Sequence, residues 1–105
     1  MFKKLGFGSD KEFVIKLVKR LQEEVPPTLL GGGGKVMSVN RVTKILEKIF
    51  QSAEKYQGDE SLGFIRRVVM LNSFKWELKA GGYSEDFIRL ATEGLVMTLV
   101  KAARK

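Results

Sequence analysis

The stretch from Leu62 to Lys79 limits the fold more than any other part of the chain. Set at 100° per residue, Phe64, Ile65, Val68, Val69, Leu71, Phe74, Trp76 and Leu78 cover well over half of a helix circumference. Only Arg66, Ser73 and Glu77 share one narrow polar strip. A surface helix needs a narrower apolar stripe than this. The pattern therefore predicts a central helix, touched by neighbours on two or three sides, in an all-α fold.

The rest of the chain offers three such neighbours. Ser9 with Glu12 has the spacing of a capping box, which starts a first helix over about Asp10–Glu24 with Val14, Leu17, Val18, Leu21 and Val25 on one face. Ile15 falls outside that arc. Pro26 and Pro27 end the helix because proline lacks an amide hydrogen and its ring clashes with the preceding turn. A second helix, capped by Ser38, is expected from Val39 to Gln57. Its apolar face is Val42, Ile45, Leu46, Ile49, Phe50, Ala53 and Tyr56. Gly58 is expected to close it and Asp59 to cap the next helix. Ala80, Gly81 and Gly82 end the third helix, and Ser84, Glu85 and Asp86 open a fourth that runs to about Ala103.

The expected architecture is thus a small antiparallel four-helix bundle, built as one helical domain over residues 1–105. Residues 1–8 read as a lead-in whose Phe7 ring docks on the bundle. Residues 26–37 read as a Pro/Gly-rich flexible loop. Within the loop, four glycines, Gly31 to Gly34, precede Lys35. A flexible linker is the plain reading, and an anion nest of glycine amides is the alternative. A phosphate-binding P-loop is excluded, because the positions it requires around the lysine hold Leu29 and Val36.

The chain has no cysteine and no histidine. Disulfides, thiolate nucleophiles, imidazole bases and the usual zinc sites are removed together. The carboxylate pairs, Glu23 with Glu24 and Glu85 with Asp86, sit at a helix end and a helix start, where solvation and capping account for them. Neither catalysis, a cofactor nor a metal is expected. No apolar run reaches the length of a signal or a membrane span, so a cytoplasmic location is expected.

Two features point to binding. The fourth helix has Phe87, Ile88, Ala91, Leu95, Leu99 and Ala102 on one face, yet Leu90 with Met97 and Val96 with Val100 add apolar flanks. A bundle needs only one of these faces, so Leu90, Val96, Met97 and Val100 are the expected contact with a protein partner or a second copy, unless the Ile15 side of the first helix covers them. Gly94 suggests a close helix crossing. The net charge of +7 makes polyanions the other class of partner. Arg41, Lys44, Lys48 and Lys55 fall within about 60° on the second helix. They form either a solvated face softened by local pairs such as Glu47 with Lys44, or a nucleic-acid-binding stripe, extended by Lys16, Lys19 and Arg20. No aromatic residue interleaves with them to stack on bases. A helix-turn-helix over Leu78–Arg89 is disfavoured, because Glu85 and Asp86 would meet phosphates.

Overall fold

The computed structural model describes residues 7–30 and 38–104. They form four helices and no strand: α1 (Phe7–Glu24), α2 (Val39–Glu60), α3 (Phe64–Ala80) and α4 (Glu85–Ala103). The Gly31–Gly34 run with Lys35, most of the lead-in and the side chain of Phe7 lie outside the described residues. Pro26–Leu30 does have structure, a 3₁₀ turn over Pro27–Leu29 in which the Leu30 amide donates to the Pro27 carbonyl at 3.1 Å.

The fold is a four-helix bundle in which α1 packs on α2 and α3, and α4 packs on α2 and α3. Successive helices reverse direction. Phe13, near the start of α1, stacks on Tyr56, near the end of α2, with ring centroids 4.0 Å apart. Asp10 reaches Arg66 at the start of α3, and the Tyr83 hydroxyl in the α3–α4 turn donates to the Val25 carbonyl at 2.7 Å. The core contains the predicted faces of α1, α2 and α4, including Val14, Leu21, Ile49, Ala53, Leu95 and Leu99. Phe74 of α3 is its largest fully buried side chain.

Several predicted boundaries are corrected. Ser9 is not a cap: α1 begins earlier, and Asp10 lies inside it and is 1 % exposed. Gly58 and Asp59 continue α2, which ends instead where Ser61 takes a left-handed conformation, φ 51°. The α2–α3 turn is held through the Leu62 carbonyl, which accepts from Gln57 Nε2 at 3.0 Å and Arg67 Nη1 at 2.7 Å. Gly63 caps α3 without side-chain help and has no neighbour that a Cβ would meet, so close approach does not account for it. Ser38 and Ser84 cap as expected, accepting from the amides of Arg41 and Phe87, each at 3.2 Å. Gly82 turns the chain after α3 with φ 94°. Gly94 does allow a close crossing: a Cβ there would lie 2.5 Å from Cζ of Phe50.

The largest correction concerns α3. It has two neighbours, α1 and α4, but only Met70, Phe74 and Leu78 of the helix are buried. Much of its wide apolar arc faces outward. Asn72 is exposed there too.

Candidate interaction surfaces

The outward face of α3 follows from its sequence. Within about 140° of arc lie Phe64, Lys75, Val68, Lys79, Asn72, Ile65, Trp76 and Val69 in angular order. The remaining arc meets α1 and α4 through Met70, Phe74 and Leu78, and a single helix cannot bury both arcs against two neighbours. Phe64 is 69 %, Ile65 63 % and Trp76 56 % exposed, with Val68 and Val69 less so. Together they expose roughly 500 Å² of apolar surface, toward the upper end of what a monomer's largest patch usually reaches. No carboxylate lies on this arc. The Lys79 ammonium sits 5.3 Å from the Trp76 ring centroid, a cation–π contact that holds one positive charge over the patch.

Register extends this surface onto α4. Lys75 shares a cleft with Arg89, Thr92 and the carboxylates Glu85 and Glu93, and Arg67 shares another with Ala102 and Ala103. Between those two levels lie Val68 and Leu71 on α3 and Val96 and Val100 on α4. Val96 is half-buried and Val100 exposed. Ile15 turns toward α3, lining a cleft with Lys19, Gln22 and Glu77, and so does not cover the flanks of α4.

Leu90 and Met97 lie on the other flank of α4. They are 59 % and 56 % exposed and line a groove against α2 with Thr43, Leu46, Phe50 and Gly94. Its volume is about 370 Å³. Glu47 stands on the α2 side and Glu93 on the α4 side, and no cation lines the groove. The four expected contact residues of α4 are therefore split, with Leu90 and Met97 lining the groove against α2 and Val96 and Val100 lying outside it.

Arg41, Lys44, Lys48 and Lys55 are all exposed, on the face of α2 away from its buried residues. Lys16 and Arg20 share the Phe13 side of α1 by helical spacing, whereas Lys19 lines a cleft with Glu77 of α3. Among the described residues no ion pair joins Glu47 to Lys44. Lys55 instead meets Asp59 at 2.9 Å and Arg20 meets Glu24 at 3.0 Å, both largely solvent-screened.

One polar cluster escaped the sequence reading. Asp10 accepts from the Tyr56 hydroxyl and from two nitrogens of Arg66, which also reaches Glu60 at 3.2 Å. The Arg66 guanidinium is held further above its ordinary range by these carboxylate hydrogen bonds. Burial first, and the bond to Asp10 second, raise the Tyr56 phenol. Both shifts make the Tyr56 and Arg66 protons harder to remove, and the cluster ties α1, α2 and α3 together. Its residues lie 46 and 56 positions apart, a separation no local pattern reveals.

Among the described residues no group of three carboxylates is placed to hold a metal, and no helix is long and apolar enough to cross a membrane. No protein-family model, curated protein or solved structure matches the chain.

Proposed function

We propose that this chain is a non-catalytic helical docking module, which binds a protein partner or further copies of itself through the apolar surfaces left outside its core. One observation carries this reading: five large apolar side chains of α3, Phe64, Ile65, Val68, Val69 and Trp76, face outward on a bundle whose interior is already filled. Exposing them costs solubility and contributes nothing to the core, which favours a role in association. Leu90, Val96, Met97 and Val100 of α4 belong to the same reading as its second contributors.

The test is Ile65→Glu with Trp76→Glu. Both sites are exposed, so thermal stability should stay within about 0.5 kcal/mol of the parent. Association should be lost. If association, or its absence, is the same in parent and variant, the reading is wrong.

A second reading is supported by the α2 stripe. Among the described residues, Arg41, Lys44 and Lys48 have no carboxylate within ion-pair distance, which leaves them available to phosphates. Nucleic-acid binding through these residues would weaken steeply with salt and with their reversal to glutamate. Binding that ignores both would remove it.

A further inference from the structure

We infer that two copies of the chain pair through α3, antiparallel, about a two-fold axis that passes beside Asn72. This rests on the docking reading above and names its partner.

The outward face of α3 is centred on one residue. Asn72 is the midpoint of Phe64–Ala80 along the helix, and it stands within about 10° of the middle of the exposed arc. Its side chain is exposed, and among the described residues its amide makes no hydrogen bond. Across the axis it meets Asn72 of the second copy, where each amide is both donor and acceptor for the other. One polar pair in an apolar seam fixes register. A bilayer is a poorer occupant, because it would take the same amide at the middle of the face without a partner.

Shape follows from that register. Ile65, Val68, Val69 and Asn72 stand at i, i+3, i+4 and i+7, the four corners of a hole on the helix surface. Setting Asn72 against itself in an antiparallel pair brings Trp76 of one copy level with residue 68 of the other, at the centre of that hole. Symmetry seats both tryptophan rings at once. The five apolar side chains expose roughly 500 Å², and the lysine stems bring the face toward the roughly 800 Å² per partner of a stable interface. The contact is isologous, so it uses up the face in both copies and closes at two.

Charge sets the orientation. Lys75 and Lys79 both lie toward the C-terminal end of α3. A parallel pair would put each beside its counterpart. The antiparallel pair separates the counterparts by about 9 Å and about 21 Å along the axis, beyond the roughly 8 Å screening length of physiological salt. Lys75 also keeps Glu85 and Glu93 of its own chain in one cleft, and Lys79 keeps its place over Trp76.

Sedimentation velocity of the full chain across a concentration series tests this. The parent should reach two copies and stop, with little change as salt rises. Trp76→Glu should weaken pairing at least tenfold. Asn72→Lys and Asn72→Glu should each run as monomers, while their equimolar mixture pairs, since only a position that faces itself brings the two charges together. The chain has no cysteine, so single-cysteine variants report the contact cleanly. Under mild oxidation Asn72→Cys should link into a covalent dimer and Lys79→Cys should not. Linking at both positions would mean a parallel pair and overturn the inference, as would growth past two copies or a mixture that stays monomeric. In those cases the docking reading stands provided Ile65→Glu with Trp76→Glu still abolishes association. A parent monomeric at every concentration, or one that binds only vesicles of anionic lipid and binds them more tightly after Asn72→Lys, would overturn the inference as well.

Discussion

Arg66 forks onto Asp10: its Nε lies 2.9 Å from one carboxylate oxygen and its Nη2 2.8 Å from the other. With the Tyr56 hydroxyl on the same carboxylate, one buried charge joins the start of α1 to the end of α2 and the start of α3. Asp10→Ala leaves a guanidinium and a phenol without their partner and is expected to cost about 3 kcal/mol. Replacing both charges, Asp10→Leu with Arg66→Met, should cost less than the two single changes summed, by about 1 to 2 kcal/mol. Urea unfolding of the four proteins in a double-mutant cycle decides it. Strict additivity would mean that the pair does not act as a unit.

What was legible in the sequence follows from which forces are local. Pro26 and Pro27, Gly82 and the serine caps at 38 and 84 act within a few residues, so the number and order of helices could be read directly. The buried faces of α1, α2 and α4 were legible because each has one apolar stripe. On α3 the same method fails, since periodicity reports which side chains are apolar and not which of them has a neighbour. Trp76 and Phe74 look alike in a helical projection, yet Phe74 fills the core and Trp76 faces outward. The Asp10–Arg66 tie was invisible for the opposite reason: each residue alone looks like an ordinary surface charge. Ser9 was favoured as a cap because its spacing fits, but Ser9 and Asp10 both lie within α1, and Asp10 is buried against Tyr56 of α2 and Arg66 of α3.

The two tyrosines set an alkaline limit on stability. Burial pushes the Tyr83 phenol up to about 12, and Tyr56 is raised as well, by burial and then by Asp10. In the unfolded chain both ionise near about 10. Above that pH the unfolded state has lost protons that the folded state still holds, so stability falls as pH rises from 10 toward 12. Tyr83→Phe should lose about 1 kcal/mol at pH 7 with the hydrogen bond to Val25, and its deficit should shrink as pH climbs through that window. Urea unfolding at pH 7, 10 and 11.5 gives the comparison. A constant deficit would contradict the assignment.

Gly94 and Phe50 should show a reversal of sign. Gly94→Ala gains roughly 1 kcal/mol of helix propensity but drives the Phe50 ring from its place, a net loss of about 1 kcal/mol. With Phe50→Ala already present the clash is gone, and Gly94→Ala should then stabilise by several tenths of a kcal/mol or more. Thermal unfolding of the four combinations checks this.

The adjacent glycines of the α3–α4 turn should respond differently. At Gly81 a Cβ would meet chiefly the amide end of Gln22, which can swing away, so Gly81→Ala should be nearly neutral. Gly82 has φ 94°, and Gly82→Ala should cost about 1 kcal/mol or more because an L side chain is strained there. Equal effects at the two positions would contradict the turn geometry.

The docking role of α3 is tested most directly by light scattering after size exclusion, on the parent and on Ile65→Glu with Trp76→Glu. Each is run at low and moderate salt, with and without a mixed DNA and RNA oligonucleotide pool. The parent is expected to exceed the mass of one chain without nucleic acid, and the variant to run as a monomer with unchanged melting temperature. A parent that stays monomeric and shifts only with oligonucleotides at low salt would contradict the docking role and transfer function to Arg41, Lys44, Lys48 and Lys55.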